Sequence, residues 1–234
     1  MGGVSFNNYR IDGRILYPPS RISQLECRSV IRLVFILIIG CIFLQPVTAQ
    51  EYPALHNVTG VADNDVLNIR SQPSASSPII GILRPHQKSI EIVASDGSKK
   101  WGLVNSGEAS GWVSLRHMAR TDQGDWLDLD NTLSCFGTEP FWSLNVNSSH
   151  VLIDMNGEAN TYTLRNHSRT SNPNTKTGFD ARSNSNPRSS LTGIISAQSC
   201  NDGMSDQSHG ISVDLMLLEK AGFRVLSGCC SLQP

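Results

Sequence analysis

Residues Asp65 to Leu83 read D-V-L-N-I-R-S-Q-P-S-A-S-S-P-I-I-G-I-L. Val66, Leu67 and Ile69 make a short β-rich run, Pro73 and Pro78 bracket a Ser-rich turn, and Ile79, Ile80, Ile82 and Leu83 open a second apolar run. Two runs of branched residues separated by a proline-bounded turn predict strands joined by a loop, in the manner of a small β-barrel. Upstream, Val58 and Val61 begin a strand, and Ala62-Asp63-Asn64-Asp65 is a turn by composition. Downstream, Ile90, Ile92 and Ala94 alternate with other residues as a half-buried strand does, and Ser95-Asp96-Gly97-Ser98 reads as a hairpin turn.

The same order continues through W-G-L-V at Trp101 to Val104 and S-G-W-V at Ser110 to Val113. With the N-I-R-S-x-P-S turn, these strings resemble the bacterial SH3 (SH3b) family from about His56 to Arg120. The resemblance implies a small barrel over residues 50–121 that recognises peptide or cell-wall polymer. Tyr52, Asn68, Arg70, Trp101 and Trp112 are the residues expected to line its groove, since aromatic faces with a few donors suit glycan and peptide chains. The plainer expectation is that Trp112 is core, that Asn68 and Arg70 tie down the long loop, and that Trp101 covers one barrel end. No cysteine lies in this segment. Burial of Trp112 and of the Ile79, Ile80, Ile82 face is expected to carry its stability and to let it fold alone.

Residues 1–49 carry a different signal. Arg28 and Arg32 precede L-V-F-I-L-I-I-G-C-I-F-L, Leu33 to Leu44, which has the length of a signal-peptide apolar core and falls short of a spanning helix. Pro46 and Val47-Thr48-Ala49 then suit cleavage after Ala49. The alternatives are an uncleaved membrane anchor and lipid attachment at Cys41. Without this leader the chain keeps 14 basic and 18 acidic residues, a net charge of −4, and shows no basic cluster able to track a phosphate backbone. Nucleic acid is therefore not an expected partner, and the membrane is one only through the leader.

The rest of the chain divides into an acidic linker at 122–134 and a second all-β domain at 135–234. Trp142, Leu144 and Val146 alternate with polar residues, as do Val151, Ile153 and Met155 after the turn Asn147-Ser148-Ser149-His150. Tyr162 and Leu164 suggest a third strand, and Leu191 to Ala197, Ile211 to Leu218 and Phe223 to Ser227 three more. Residues 165–190 are almost wholly polar and are expected to form a mobile insertion. The fold class expected is all-β: a small SH3-like barrel followed by a second, disulfide-tied all-β domain.

The mature chain keeps Cys135, Cys200, Cys229 and Cys230, an even set in an exported protein. Structural zinc pairs its thiols two to four residues apart, whereas the one close pair here is vicinal. Vicinal cysteines seldom bond each other. Cys229 and Cys230 are therefore expected to take Cys135 and Cys200, in either order, with no metal and no cofactor. The strings C-F-G-T-E-P-F-W, C-N-D-G-M-S-D and G-C-C, at Cys135, Cys200 and Gly228, resemble an uncharacterised family of bacterial envelope proteins. That resemblance implies location and fold, not an activity.

Chemistry in this second domain rests on Glu139, Trp142, Asp202 and Asp206. Acids meeting beside an aromatic would suit glycan hydrolysis or calcium. The plainer expectation is that Asp202 and Asp206 hold turn backbone and that Glu139 caps a strand end. No cysteine or serine sits in a nucleophile pattern, and His209 beside Asp206 is the single pairing of note among six His. The expected function is therefore an exported, non-catalytic envelope binding protein, whose partner is cell-wall polymer or an envelope peptide or protein. The alternatives are a wall or glycan hydrolase using Glu139 and Asp202, and an inhibitor or assembly partner of another envelope protein.

Overall fold

A computed structural model describes residues 51–233, except 123, 172, 220 and 221. The leader lies outside the described residues, so the readings of cleavage, anchoring and Cys41 lipidation do too. The first half builds β1 (Ala54–Val58), β2 (Leu67–Arg70), β3 (Ile79–Leu83), β4 (Ile90–Ile92), β5 (Ala94–Ser95), β6 (Trp101–Ser106), β7 (Ala109–Ser114) and β8 (Met118–Arg120). They form a three-stranded sheet in the order β4-β1-β8 and a five-stranded sheet in the order β3-β2-β7-β6-β5. Between the sheets lies a core of Val58, Leu67, Ile69, Leu83, Ile92, Val104, Val113 and Met118.

The period-two rule assigns faces here, and it corrects two expectations. Leu67 and Ile69 point inward, so Asn68 and Arg70 point outward. Val113 is fully buried and Gly111 is buried beside it, which turns Trp112 to the outer face, half-buried, opposite Arg70 on β2 and Leu103 on β6. Trp112 is therefore not core. Ile79, Ile80 and Ile82 also stand largely exposed, at 54, 45 and 55 %. On β3 the inward positions belong to Leu83 and Gly81, and a Cβ on Gly81 would collide with Ser106. The isoleucines are left on the edge strand.

The second half is a closed eight-stranded antiparallel barrel in the order β10-β11-β12-β13-β14-β15-β16-β9. Its strands are β9 (Leu133–Thr138), β10 (Phe141–Val146), β11 (His150–Met155), β12 (Glu158–Arg169), β13 (Lys176–Ser183), β14 (Ser190–Cys200), β15 (His209–Glu219) and β16 (Gly222–Leu232). Closure leaves no sheet edge to protect. The interior is filled by inward side chains such as Leu144, Ile153, Leu191, Ile195, Ile211, Leu215 and Leu217, each essentially inaccessible.

Two domain boundaries need correction. Residues 122–134 do not form a bare linker: Asp125 accepts from Leu127 N at 3.0 Å and starts a 3-10 turn at Trp126–Asp128. That turn places Trp126, Leu127 and Leu129 in the barrel core. Arg169 holds it from outside, at 2.9 Å from Asp125 and 2.7 Å from Asp128, while Thr177 donates to the carbonyl of Leu127. Residues 165–190 do not form a mobile insertion either. They complete β12 and supply β13, whose Thr177, Phe179 and Ala181 point into the core.

The described residues belong to one compact unit. Leu55 of β1 packs in the barrel's core cluster, Asn105 donates to Ser208 O at 3.0 Å, and Glu91 accepts from Leu232 N at 3.2 Å. The first module thus packs against the barrel and hydrogen-bonds to it while keeping a core of its own. The fold class is all-β, an SH3-like module followed by a closed barrel carrying two disulfides, Cys135–Cys230 and Cys200–Cys229.

Candidate functional site

The outer face of the five-stranded sheet carries the residues that period two turns away from the core. Asn68 and Arg70 on β2, Trp101 on β6 and Ser114 on β7 line a groove of about 680 Å³, closed on its flanks by Ala75, Lys100, Arg116 and His117. This volume lies within the usual range of ligand clefts, roughly 300–1,000 Å³. Three cations line it and no acid does. A groove with one charge sign focuses its field on ligands of the other sign.

Each wall is built by local chemistry. The loop after β2 is closed by Ser77, whose hydroxyl donates to Gln72 O at 2.9 Å and to Ser74 O at 3.0 Å. Arg70 reaches across to donate from Nη1 to Ser77 O at 2.7 Å. Arg70 thus ties down the loop and borders the groove at once. Arg116 Nε donates to His117 Nε2 at 2.8 Å, so that imidazole nitrogen acts as an acceptor.

Trp101 is positioned by a residue that the sequence presents merely as part of a turn. Asp96 Oδ1 accepts from the backbone N–H of both Lys100 and Trp101 at 2.9 Å, and Oδ2 accepts from the Ser98 hydroxyl at 2.5 Å. The Ser98 bond, joined by backbone bonds from Trp101, Ser98 and Lys100, pulls the Asp96 carboxyl down to about 2. An Asp four residues ahead of Lys100, at the start of the turn Asp96-Gly97-Ser98, is the sequence signal for such an Asx-type cap.

Of the five residues expected to share a groove, the structure brings together Asn68, Arg70 and Trp101. Trp112 lies on the same sheet face, across from Arg70, but does not line the cavity. Tyr52 lies elsewhere: its ring stacks on His56 at 6.1 Å, and burial followed by the Glu51 charge pushes its hydroxyl pKa up.

Of the residues nominated in the second domain, Asp202 lies beside the turn that carries Glu139, since Thr138 Oγ1 donates to Asp202 O at 3.3 Å. Trp142 is buried in the barrel, and its indole occupies the space where Gly137 and Gly228 lack a side chain. A Cβ on either glycine would strike it, which explains the glycines of both strings in packing terms. Glu139 is exposed at the turn between β9 and β10. Asp202 Oδ1 accepts from Met204 N and Ser205 N at 2.9 Å and from the Ser205 hydroxyl at 3.1 Å. Those backbone bonds hold its carboxyl below the usual range.

Asp206 sits at the junction of the two modules, where its N–H donates to Glu108 O at 2.9 Å and it bridges Ala109. His209 does not pair with Asp206; its Nδ1 lies 3.0 Å from the Ser231 hydroxyl and its ring meets Phe136 edge-on at 5.2 Å. Burial lowers its pKa. Among the described residues no three His, Cys, Asp or Glu side chains are arranged to hold a metal ion, and no helix is long and apolar enough to cross a membrane.

The family described as the bacterial SH3 domain matches residues 65–119, the span that runs from the start of the β2 region to β8 and contains all the groove residues. No curated protein matches the chain.

Proposed function

We propose that the protein is an exported binding protein of the cell envelope, whose SH3 module recognises a carboxylate-bearing peptide or cell-wall polymer without performing catalysis. The observation that carries this reading is the groove over Asn68, Arg70 and Trp101. It combines an aromatic wall with Arg70, Lys100 and Arg116 and has no acidic lining residue. Trp101 offers a face for an apolar or sugar surface, and the guanidinium groups offer forked donors that fit carboxylates. A chain alternating apolar and carboxylate groups meets both.

Export is supported by the cysteines. All four in the described residues are paired, and such bonds persist in oxidising compartments such as the periplasm. The resemblance of the second domain to an uncharacterised envelope family points to the same place. A non-catalytic role is supported by the carboxylates themselves. Asp202, one of the two acids a hydrolase would use, spends Oδ1 on Met204 N and on Ser205 within its own loop.

Cosedimentation with purified wall sacculi tests the proposal. The full exported chain should pellet with the sacculi, and Trp101→Ala or the pair Lys100→Glu and Arg116→Glu should abolish pelleting while the melting curve stays in place. Binding should weaken as salt rises, because the charge contribution is screened. Equal pelleting by all three proteins would refute the groove, and release of soluble wall fragments by the wild type would refute the absence of catalysis.

A further inference from the structure

The three cysteine strings converge on one place. Phe136, Gly137 and Thr138 from the first, Cys200, Asn201 and Asp202 from the second, and Gly228 and Cys229 from the third all border a cleft of about 370 Å³ on the outer wall of the barrel. Its floor is the outward face of β15 and β16, with Ser212, Asp214 and Ser227, and its roof is the segment that follows β14.

That roof is held from three sides. Cys200–Cys229 staples it to β16, Thr138 Oγ1 donates to Asp202 O at 3.3 Å, and Asp202 caps its own turn through Met204 and Ser205. From the far side, the β6–β7 hairpin fixes it through Gln207 Nε2 to Gly107 O at 2.6 Å and Asp206 N to Glu108 O at 2.9 Å. A loop pinned so heavily is preorganised, and preorganisation lowers the ordering cost that a ligand would otherwise meet.

We infer that this cleft is a second binding site, separate from the SH3 groove, for a neutral, hydroxyl-rich ligand of the pyranose class. No Lys or Arg lines it, which excludes an anionic ligand. Asp202 is already engaged with its own loop, so its charge is largely answered. Asp214 is engaged on one side alone: Oδ1 accepts from the Ser227 hydroxyl at 2.7 Å, and among the described residues its other oxygen has no hydrogen-bond partner. The cleft is also lined by Ser212 and Gln198, groups that both donate and accept, and by Thr138, whose proton goes to Asp202 O and whose oxygen still accepts, with Phe136 as the apolar wall. One charged acceptor among neutral two-way groups and an aromatic is the complement of a sugar ring, whose hydroxyls do both and whose C–H face is apolar.

The test uses the exported chain and a soluble tetramer of β-1,4-linked N-acetylglucosamine, which carries no carboxylate for the SH3 groove. Calorimetry should show saturable binding. Asp214→Ala should weaken it about tenfold or more, the loss expected for one hydrogen bond to a charged group. Ser212→Phe, which fills the cleft from the exposed floor, should abolish it. Trp101→Ala should leave it unchanged, so failure here and failure of the SH3 groove are separable. Absence of binding by the wild type, or binding lost in Trp101→Ala and kept in Ser212→Phe, overturns the inference.

Discussion

Glu91 should make the stability of the chain fall as pH rises towards and past neutrality. The residue lies on β4, and its carboxylate packs against the last strand of the barrel, accepting from Leu232 N at 3.2 Å and from the Ser231 hydroxyl. Burial pushes its carboxyl up to about 7, against an ordinary value of 4.5, while those two hydrogen bonds pull the other way. Between the two values the folded chain keeps a proton that the unfolded chain has lost. Stability from this group is therefore full below the unfolded value and is lost as pH climbs through the folded one. A shift of this size corresponds to roughly 3 kcal/mol at about 1.4 kcal/mol per pH unit, and the partial exposure of the residue brings it nearer to about 2 kcal/mol. Glu91→Gln removes the ionisation and keeps an oxygen for Leu232. Urea unfolding of wild type and variant should give similar stabilities near pH 4, with the variant about 2 kcal/mol ahead near pH 8. A difference that does not change with pH, or a variant weaker than wild type at high pH, would show that the carboxylate is ionised and welcome at the junction.

Three further outcomes follow from the packing. Ile69→Ala, at a core position with 1 % exposure, should cost about 2–5 kcal/mol, whereas Trp112→Ala on the outer sheet face should cost less than about 2 kcal/mol by chemical denaturation. Leu127→Ala should destabilise the barrel by about 2–5 kcal/mol, because Leu127 is inaccessible within its core; a melt like wild type would show the turn at Trp126–Asp128 to be dispensable. Mild reductant should open Cys200–Cys229 first, since Cys200 keeps some exposure while Cys135 and Cys230 are fully buried, and mass spectrometry of alkylated peptides should report the order. Loss of Cys135–Cys230, which closes 95 residues, should then cost roughly 4–5 kcal/mol on the chain-entropy account.

Strand identity was legible wherever large apolar residues alternated, as in I-S-V-D-L-M-L on β15. It is not legible on β13, because neither Thr177 nor Ala181 is a large apolar residue, yet both are completely buried. Thr177 is tolerated there because its hydroxyl has a carbonyl to donate to. The plug at Trp126–Leu129 was hidden for a related reason: acids surround it, and a 3-10 turn has neither of the two periods sought in sequence. Trp112 has the size of a core residue, and it is the fully buried Val113 that fixes the phase of β7 and turns Trp112 outward. Three groove residues were found because N-I-R and W-G-L-V each give strand phase locally. Lys100 and Arg116 are not legible in that way, since charges far apart in sequence from Arg70 meet across the sheet only after β2, β6 and β7 are laid side by side.

The groove itself is tested most directly by recording amide resonances of the chain from Gln50 onward as soluble muropeptides, short peptides joined to wall disaccharides, are added. The proposed role predicts saturable shifts at Asn68, Arg70, Lys100, Trp101, Ser114 and Arg116, with the muropeptides recovered intact. Shifts confined to residues away from the β2, β6 and β7 face, no shifts at all, or cleavage of the muropeptides would contradict it.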